Sequence, residues 1–426
     1  MINEKLMQYL WQNRLFDNTN LATCDGQPLE IIDIGRLNTD AGPDFFNAKV
    51  KIGNKLWAGN VEIHLSSSDW KRHGHDADMA YDTVILHVVA HADAKIYRKS
   101  GEEIPQLVMS YSPEVLQKCA AFGNRNADFP CAKEIRTIPS MFLSSWLTAL
   151  LTERLMNKSA HISELLSQNK NNWAEVFYVS LARSLGTGIN GDAFERMAKA
   201  VPLVALQKHR DSLLQIEALF FGVSGLLPEA PADDYQRKLC AEAHFLMNKF
   251  SLSPLRDVQW KMARLRPQNF PHVRIAQLSK IVFQSSKLFS KIQENVDYMA
   301  IFSLFSEMSA DGYWEYHCTF SKESPRQKKT LGKATIHSIM INTVVPLLFS
   351  YGKQTDNEAV CEKALALLER IPAERNQIIT SWAEMGIEAA NAYDTQALIE
   401  LRKNYCDRKD CLRCRIAHRI ISVKKP

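Results

Sequence analysis

Residues 46–56 read Phe-Asn-Ala-Lys-Val-Lys-Ile-Gly-Asn-Lys-Leu, with apolar side chains at every second position up to a Gly-Asn pair. Alternation with a period of two is typical of a β-strand that is buried on one face. The pair Gly53-Asn54 is typical of a two-residue hairpin turn, because glycine readily adopts the positive φ that such turns need. We therefore expect an antiparallel hairpin whose first strand ends at Ile52 and whose second strand runs from Leu56 to Leu65.

The pattern changes twice along the chain. An amphipathic helix is predicted over residues 2–16, before the hairpin, and strands are predicted at 30–34, 83–90 and 94–98. After Pro113 the apolar spacing becomes helical. The longest predicted helices are at 140–166, 173–185, 193–200, 235–250, 335–351 and 358–371.

These patterns predict an α+β fold. A mainly antiparallel, β-rich domain with an N-terminal helix is expected at residues 1–112. A mainly helical domain is expected at 113–404, with a subdivision near 222–234, and a cysteine-rich segment at 405–426.

Composition limits the class of protein. The chain has 426 residues, of which 46% are hydrophobic, so it can bury a large core in two or three units. It has no run of ~18 uninterrupted apolar residues and no signal-peptide pattern at its start, so we expect a cytoplasmic protein without a membrane segment. Nine cysteines in such a chain indicate reduced thiols. The net charge of +5 is compatible with a polyanionic partner.

Polar residues with catalytic chemistry are concentrated in the β-rich part. Five of the twelve histidines fall within residues 64–91: His64, His73, His75, His87 and His91. Carboxylates, among them Asp44, Glu62 and Asp69, lie in or near the same stretch. Carboxylates supply anionic oxygen ligands and imidazoles bind metals or carry protons, so the set suits a divalent metal. The alternative is structural: Asp44 caps a turn, Glu62 and His64 lie on a solvated face of the sheet, and the histidines make ordinary hydrogen bonds.

The order Pro43-Asp44, strand hairpin, Glu62-Ile-His64 resembles the PD-(D/E)xK nuclease superfamily. In that superfamily a Pro-Asp and a Glu-x-Lys on adjacent strands hold the catalytic metal. The resemblance implies a restriction-endonuclease-like core, DNA or RNA as partner, and Asp44 and Glu62 as ligands of Mg²⁺ or Mn²⁺. His64 stands where the superfamily has a lysine, and histidine is titratable where lysine is a fixed cation.

Strand register makes this expectation testable. A two-residue turn pairs Ile52 with Lys55, and the same register carried along both strands places Asp44 opposite Ile63. Glu62 and His64 would then face away from Asp44. A bulge near Gly59, where glycine interrupts the strand, or a bend at Gly42-Pro43, could bring Asp44 round to the face of Glu62.

Cysteines at 406, 411 and 414 form a C-x4-C-x2-C pattern near the C-terminus. The x2 spacing lets two thiolates converge on one metal, and three thiolates leave one position open. Cys131 is our first choice for the fourth ligand, with Cys24 and His418 as alternatives. A structural zinc or iron–sulfur site is predicted. One remote cysteine with three near the C-terminus also resembles helicase-associated and CRISPR-associated members of the same nuclease superfamily.

Basic residues are concentrated in a proline-containing segment of the helical part. Arg264, Arg266 and Arg274 lie within eleven residues, and guanidinium groups suit phosphate, so they are predicted to contact a nucleic-acid backbone. The alternative is pairing with nearby carboxylates.

Taken over nearly its full length, the chain resembles a bacterial family of unknown function, domain 2851. The resemblance rests on residues 38–45, 59–64, 67–70, 81–89 and 264–271 and on the final cysteines. It implies no activity. The residues support a metal-dependent nuclease or a nucleic-acid-binding derivative of one. The alternatives are a scaffold stabilised by a cysteine-bound metal, and a small-substrate hydrolase in which His73 and His75 converge with His64 on zinc.

Overall fold

The computed structural model describes residues 2–122, 128–285 and 287–422. The chain forms two compact units. Unit 1 comprises Met1–Trp146, Glu384–Ile387 and Leu401–Pro426, and unit 2 comprises Leu147–Ala383 and Glu388–Glu400.

Eight strands occur in the described residues: β1 Leu29–Asp33, β2 Arg36–Leu37, β3 Phe45–Ile52, β4 Lys55–Ser66, β5 Val84–His91, β6 Gln106–Val108, β7 Ser309–Ala310 and β8 Lys329–Thr330. The α-helices of the described residues are α1 Glu4–Gln12, α2 Asp69–Arg72, α3 Pro113–Phe122, α4 Ser140–Gln168, α5 Trp173–Leu185, α6 Thr187–Ala200, α7 Leu203–Gln207, α8 Leu213–Ser224, α9 Asp234–Lys249, α10 Pro271–Gln284, α11 Leu288–Glu294, α12 Tyr298–Ser306, α13 Tyr313–Tyr316, α14 Lys333–Ile339, α15 Val345–Gln354, α16 Glu358–Arg370, α17 Gln377–Glu384, α18 Ala392–Glu400 and α19 Arg415–Ser422. Two π-helical segments, Met340–Val344 and Leu401–Cys406, continue α14 and α18.

The sheet of unit 1 has the order β1-β3-β4-β5-β6, with β2 paired to β3. The predicted hairpin is confirmed, because β3 and β4 pair antiparallel with Ile52 opposite Lys55. β4 and β5 are parallel, since the chain crosses back through α2, and β5 and β6 are also parallel. The α+β fold is confirmed, and its sheet is mixed. The strand expected at 94–98 is wrong: only an isolated bridge, Tyr97 to Glu103, forms there.

The strand β5 is buried on both of its faces, and His87 is its one polar residue among the buried ones. Six of its eight residues, Val84 to Val89, are buried. Gly59 of β4 lies against β5 so closely that a Cβ there would come within 2.4 Å of Ile85 and 2.6 Å of the Thr83 carbonyl. Glycine is therefore required at this point for close packing of the two strands.

Unit 2 is mainly helical, as its sequence predicts. Several of its helices begin at a residue whose side chain accepts hydrogen bonds from the free N–H groups of the first turn. Asn172 caps α5 in this way, and Asp233 caps α9. The expected subdivision near 222–234 is not observed. That segment comprises the end of α8, a loop at 225–233 and the first residue of α9, and it lies within unit 2, where α8 and α9 pack against each other.

The segment Lys333–Gln354 is the one helix of the described residues that is long and apolar enough to cross a membrane. Its most apolar window is 67% buried inside the protein. A helix that is apolar on all sides and largely covered by its own protein is typical of a core.

The boundaries of the units differ from the expected domains at 112/113 and 404/405. Helix begins at Pro113 as expected, but the compact sheet unit continues to Trp146. The cysteine-rich C-terminal segment is part of unit 1, because α19 packs on α3 and Arg402 pairs with Asp128 at 2.8 Å.

Candidate metal centre

A β-bulge in β3 determines the position of Asp44. Ala48 pairs with Gly59, but Phe45 pairs with Val61, so Phe46 and Asn47 together lie opposite Asn60. Asn47 has a φ of +59°, and its backbone N–H donates to the Asn60 side chain at 3.2 Å. The sequence left open a bulge near Gly59 or a bend at Gly42-Pro43; the structure has a bulge, but at Phe46 and Asn47 of the partner strand. It brings Asp44 opposite Glu62 instead of Ile63.

The side chains of Asp44 and Glu62 each accept a hydrogen bond from the backbone of the other residue's strand segment. The Asp44 backbone N–H donates to Glu62 Oε2 at 3.0 Å, and the Ile63 N–H donates to Asp44 Oδ2 at 3.0 Å. The Gln8 amide of α1 donates to Asp44 Oδ1 at 2.8 Å. These hydrogen-bond partners are neutral. Burial, and then the negative charge of Glu62, raises the pKa of Asp44 to about 7.

His64 lies on the same face of β4 as Glu62 and is 2% exposed. Its Nε2 is 3.4 Å from Glu62 Oε1, and its Nδ1 is 2.9 Å from His87 Nε2 on β5. Burial, followed by the charges of the neighbouring histidines, lowers the pKa of His64 to about 2. Burial also lowers the pKa of His87 to about 3, although a hydrogen bond with Gln106 opposes the shift. Both imidazoles are thus neutral near pH 7, the form that binds metals.

A glycine turn after α2 brings two further histidines to this face. The Gly74 N–H donates to the Lys71 carbonyl and the His75 N–H to the Trp70 carbonyl. With a φ of +75° at Gly74, this is a Schellman motif. Its usual apolar contact is present, since the His75 ring meets the Trp70 ring edge-on at 5.4 Å.

The three histidines converge. His73 Nδ1 is 3.2 Å from His64 Nε2, and His75 Nε2 is 3.5 Å from Glu62 Oε1. One nitrogen from each of His64, His73 and His75 lies within 4.8 Å of the others. Tyr81 stacks on His75 with ring centroids 3.7 Å apart, and burial together with the nearby carboxylates raises the Tyr81 pKa to about 12.

Sequence reasoning placed Asp44, Glu62 and His64 together, and they lie together. It assigned no ligand role to His73 and His75 beyond an alternative. The sequence feature that pointed to these residues was the cluster of histidines. The His-Gly-His spacing at the end of α2 is what brings His73 and His75 back toward His64.

The four cysteines chosen as metal ligands are all in unit 1, but among the described residues the three histidines are the one set of three or more histidine, cysteine or carboxylate ligand atoms within 4.8 Å of one another. Burial, and then the charges of Cys414 and Cys411, raises the Cys131 pKa to about 12; burial and Cys414 raise that of Cys411 to about 11. The Cys406 pKa is raised by burial and by the other three thiols. Each sulfur is therefore within electrostatic range of others in the set.

The environment of Cys414 has opposing effects on an anionic sulfur, and the effect of burial is the largest. Burial raises its pKa, whereas the N–H groups of Ala417 and Ile416 lower it. The buried indole N–H of Trp146, which has no oxygen or nitrogen acceptor, also lies beside this thiol and lowers its pKa. Of the alternative fourth ligands, Cys24 is exposed and His418 bonds to the Tyr9 hydroxyl at 3.1 Å.

The three arginines have different environments in unit 2. Arg264 and Arg266 are exposed. Arg274 is 4% exposed and donates to Gln277, Asn269 and Thr335. Burial lowers its pKa to about 10. The first two are therefore available to a phosphate backbone, and Arg274 has an internal structural role.

The profile of a family described as "Protein of unknown function (DUF2851)" matches residues 4–377. The chain belongs to this family. The match includes Asp44, Glu62 and the three converging histidines, whereas Cys406, Cys411 and Cys414 lie beyond it. No curated protein and no solved structure matches the chain.

Proposed function

We propose that this DUF2851 protein is a metal-dependent nuclease or a nucleic-acid-binding derivative of one, with its centre at Glu62. The observation that carries the proposal is the bulge at Asn47, which brings Asp44 opposite Glu62 with His64 on the same face. A buried carboxylate beside a half-buried one, with neutral hydrogen-bond donors around Asp44, is costly unless a cation compensates the charge. A divalent ion such as Mg²⁺ or Mn²⁺ would supply that charge.

The residues suggest separate roles. Glu62 and Asp44 would hold the metal, which when bound lowers the pKa of a water molecule and polarises a phosphoryl group. His64 is neutral and in contact with Glu62, so it can accept or orient the proton of an attacking water. Gln8 and the Ile63 N–H fix the Asp44 carboxylate.

The proposed substrate is DNA or RNA, bound partly through Arg264 and Arg266, whose exposed guanidinium groups suit phosphates. The proposed location is the cytoplasm, where a chain with nine cysteines keeps its thiols reduced.

A cleavage assay tests the proposal. Linear single- and double-stranded DNA, RNA and the small diester bis(p-nitrophenyl) phosphate are incubated with wild type, Glu62→Gln and the control Glu30→Gln, an exposed carboxylate on β1 of the same sheet. We expect metal-dependent cleavage of nucleic acid that Glu62→Gln lowers by more than about 100-fold and Glu30→Gln leaves unchanged. Hydrolysis of the small diester alone would favour the small-substrate alternative. No hydrolysis with Mg²⁺, Mn²⁺ or Zn²⁺ would refute an enzyme.

A second candidate function is a non-catalytic scaffold or nucleic-acid adaptor held together by a cysteine-bound metal. It is favoured by the position of Cys131, Cys406, Cys411 and Cys414, which joins the segment after α3 to the C-terminal segment. The donor set suits zinc or an iron–sulfur cluster.

The two candidates predict opposite effects of two substitutions. For a scaffold, nucleic-acid binding or assembly persists in Glu62→Gln and is lost in Cys411→Ser. Cys361→Ser, in unit 2, is the matched control. Metal analysis after anaerobic purification should find zinc, or iron with sulfide, that Cys411→Ser lacks and Cys361→Ser retains.

A further inference from the structure

Three distances around Glu62 and His64 have nearly one value. His73 Nδ1 to His64 Nε2 is 3.2 Å, His64 Nε2 to Glu62 Oε1 is 3.4 Å, and His75 Nε2 to Glu62 Oε1 is 3.5 Å. A tetrahedral zinc with bonds of about 2.0–2.1 Å holds its ligand atoms about 3.3 Å apart. These distances match three of the six edges of such a tetrahedron, and one nitrogen from each histidine lies within 4.8 Å of the other two.

The same distances fit poorly with hydrogen bonding alone. The two contacts of Glu62 Oε1 are longer than the 2.7–3.2 Å typical of N–H···O bonds. His64 Nε2 also faces both a carboxylate oxygen and another ring nitrogen, and one nitrogen carries either one proton or one lone pair. A cation among these atoms would satisfy all of them together.

Neighbouring groups hold the rings in the form that binds metal. His64 Nδ1 is 2.9 Å from His87 Nε2, so a proton on Nδ1 can be donated to His87, which leaves the Nε2 lone pair directed at Glu62. Metal-binding histidines commonly donate their other N–H in this way. The Tyr81 ring stacked on His75 and the Trp70 ring at its edge fix the plane of the third imidazole.

We propose that His64 Nε2, His73 Nδ1, His75 Nε2 and Glu62 Oε1 form a site for a histidine-preferring transition metal, with Zn²⁺ as the expected ion. Three imidazoles favour such a metal over Mg²⁺, which prefers oxygen ligands and retains its waters. The inference rests on the proposed function only for the reaction catalysed. It changes the ion expected there, and it makes His64 a metal ligand instead of the group that accepts the proton of water. In this arrangement Asp44 is not a ligand; its backbone N–H donates to Glu62 Oε2, the oxygen that does not bind the metal.

Metal binding can be measured without any substrate. Demetallated protein is titrated with Zn²⁺ by calorimetry and with Co²⁺ by visible absorption, for wild type, His73→Ala and the control His91→Gln. His73 is exposed on a turn and His91 is exposed at the end of β5, so neither substitution removes core packing. Co²⁺ separates this site from the cysteines, because thiolate ligands add an intense near-ultraviolet charge-transfer band and imidazoles do not.

We expect one Zn²⁺ equivalent per chain whose affinity falls by at least about tenfold in His73→Ala and is unchanged in His91→Gln. Millimolar Mg²⁺ should not displace it. The Co²⁺ form should show a tetrahedral visible spectrum that His73→Ala alters. Wild type that binds no metal outside the cysteines, or binding that is equal in His73→Ala, would overturn the site.

The outcome is separable from that of the cleavage assay. Zinc bound by the histidines without hydrolysis of any substrate would retain the site and refute the nuclease. Cleavage supported by Mg²⁺ in a protein whose histidines bind no zinc would retain the nuclease and refute the site.

Discussion

A buried carboxyl group in unit 2, Glu217, is 5% exposed on α8. It accepts hydrogen bonds from the Tyr235 hydroxyl and the Trp314 indole, both at 3.0 Å. Burial raises its pKa from 4.5 to about 7, although these donors oppose the shift. Its contribution to stability must therefore depend on pH.

The sign of that dependence follows from proton linkage. Between pH 4.5 and about 7 the folded protein binds more protons at Glu217 than the unfolded chain does, so the free energy of unfolding falls as pH rises. The side chain in Glu217→Gln stays neutral. We therefore expect the free energy of unfolding of this variant, relative to that of wild type, to rise by roughly 3 kcal/mol between pH 4.5 and 8. Urea unfolding followed by circular dichroism across this range measures the difference.

The control is Glu229→Gln, an exposed carboxylate in the same unit. Its free energy of unfolding relative to wild type should not vary with pH. A difference between Glu217→Gln and wild type that is constant from pH 4.5 to 8 would contradict the assigned burial.

Some details of the site at the level of single residues could not be predicted from the sequence. That Asp44 needs a bulge to meet Glu62 follows from strand pairing alone, but which residue bulges does not. Asn47 carries only a weak signal, because asparagine tolerates positive φ more often than other side chains. His87 was counted among the five clustered histidines, but its hydrogen bond to His64 depends on a parallel register that no local pattern specifies.

At the scale of elements, the turn from α2 to His75 brings the histidines together. His73 and His75 flank Gly74, whose φ of +75° lets the chain reverse so that both rings return toward β4. Space is not the constraint at Gly74, since an added Cβ would meet nothing within 4 Å. The left-handed conformation is the constraint, and it costs other residues about 1 kcal/mol or more.

Gly74→Ala should therefore weaken zinc binding. Without metal the turn can relax out of the left-handed region, and metal binding must then restore it, which lowers the affinity by roughly fivefold for about 1 kcal/mol. Gly101→Ala is a matched control, because Gly101 has a φ of +85° and equally open space in the same unit. Calorimetric titration with Zn²⁺ should detect the loss in Gly74→Ala only; equal affinities would show that the turn does not position the ligands.

Elements with a strong local period were predicted well. The helix expected at 173–185 is α5, Trp173–Leu185, because apolar spacing and the Asn172 cap agree. The strand expected at 94–98 failed because its one deeply buried apolar side chain, Ile96, packs with Trp70 in a turn-bounded loop where no neighbouring strand pairs with it. A short apolar alternation cannot distinguish these cases.

At the scale of the whole chain, unit 1 could not be predicted from sequence. It combines three separate stretches, of which the last contains Cys406, Cys411 and Cys414. Contacts between residues hundreds of positions apart, such as Arg402 with Asp128, have no local signature. The cysteine spacing was the only sequence feature that linked the C-terminus to the segment around Cys131.

All of the candidate ligands, histidine and cysteine alike, lie in unit 1. A ligand that binds only the folded state stabilises the unit that holds it by an amount set by its concentration and affinity. Metal removal should therefore increase amide hydrogen exchange in unit 1, while α8 and α10 of unit 2 keep their protection.

The two centres should also affect different parts of unit 1. His73→Ala leaves the cysteines intact, so faster exchange is expected in α2 and at Glu62–His64 of β4. Cys411→Ser leaves the histidines intact, so faster exchange is expected at Leu401–Cys406 and α19, which this centre would hold to the chain around Cys131. Hydrogen-exchange mass spectrometry on both variants distinguishes these patterns. If both variants changed the same peptides equally, unit 1 would open as one cooperative body, and the two centres would stabilise it jointly instead of locally.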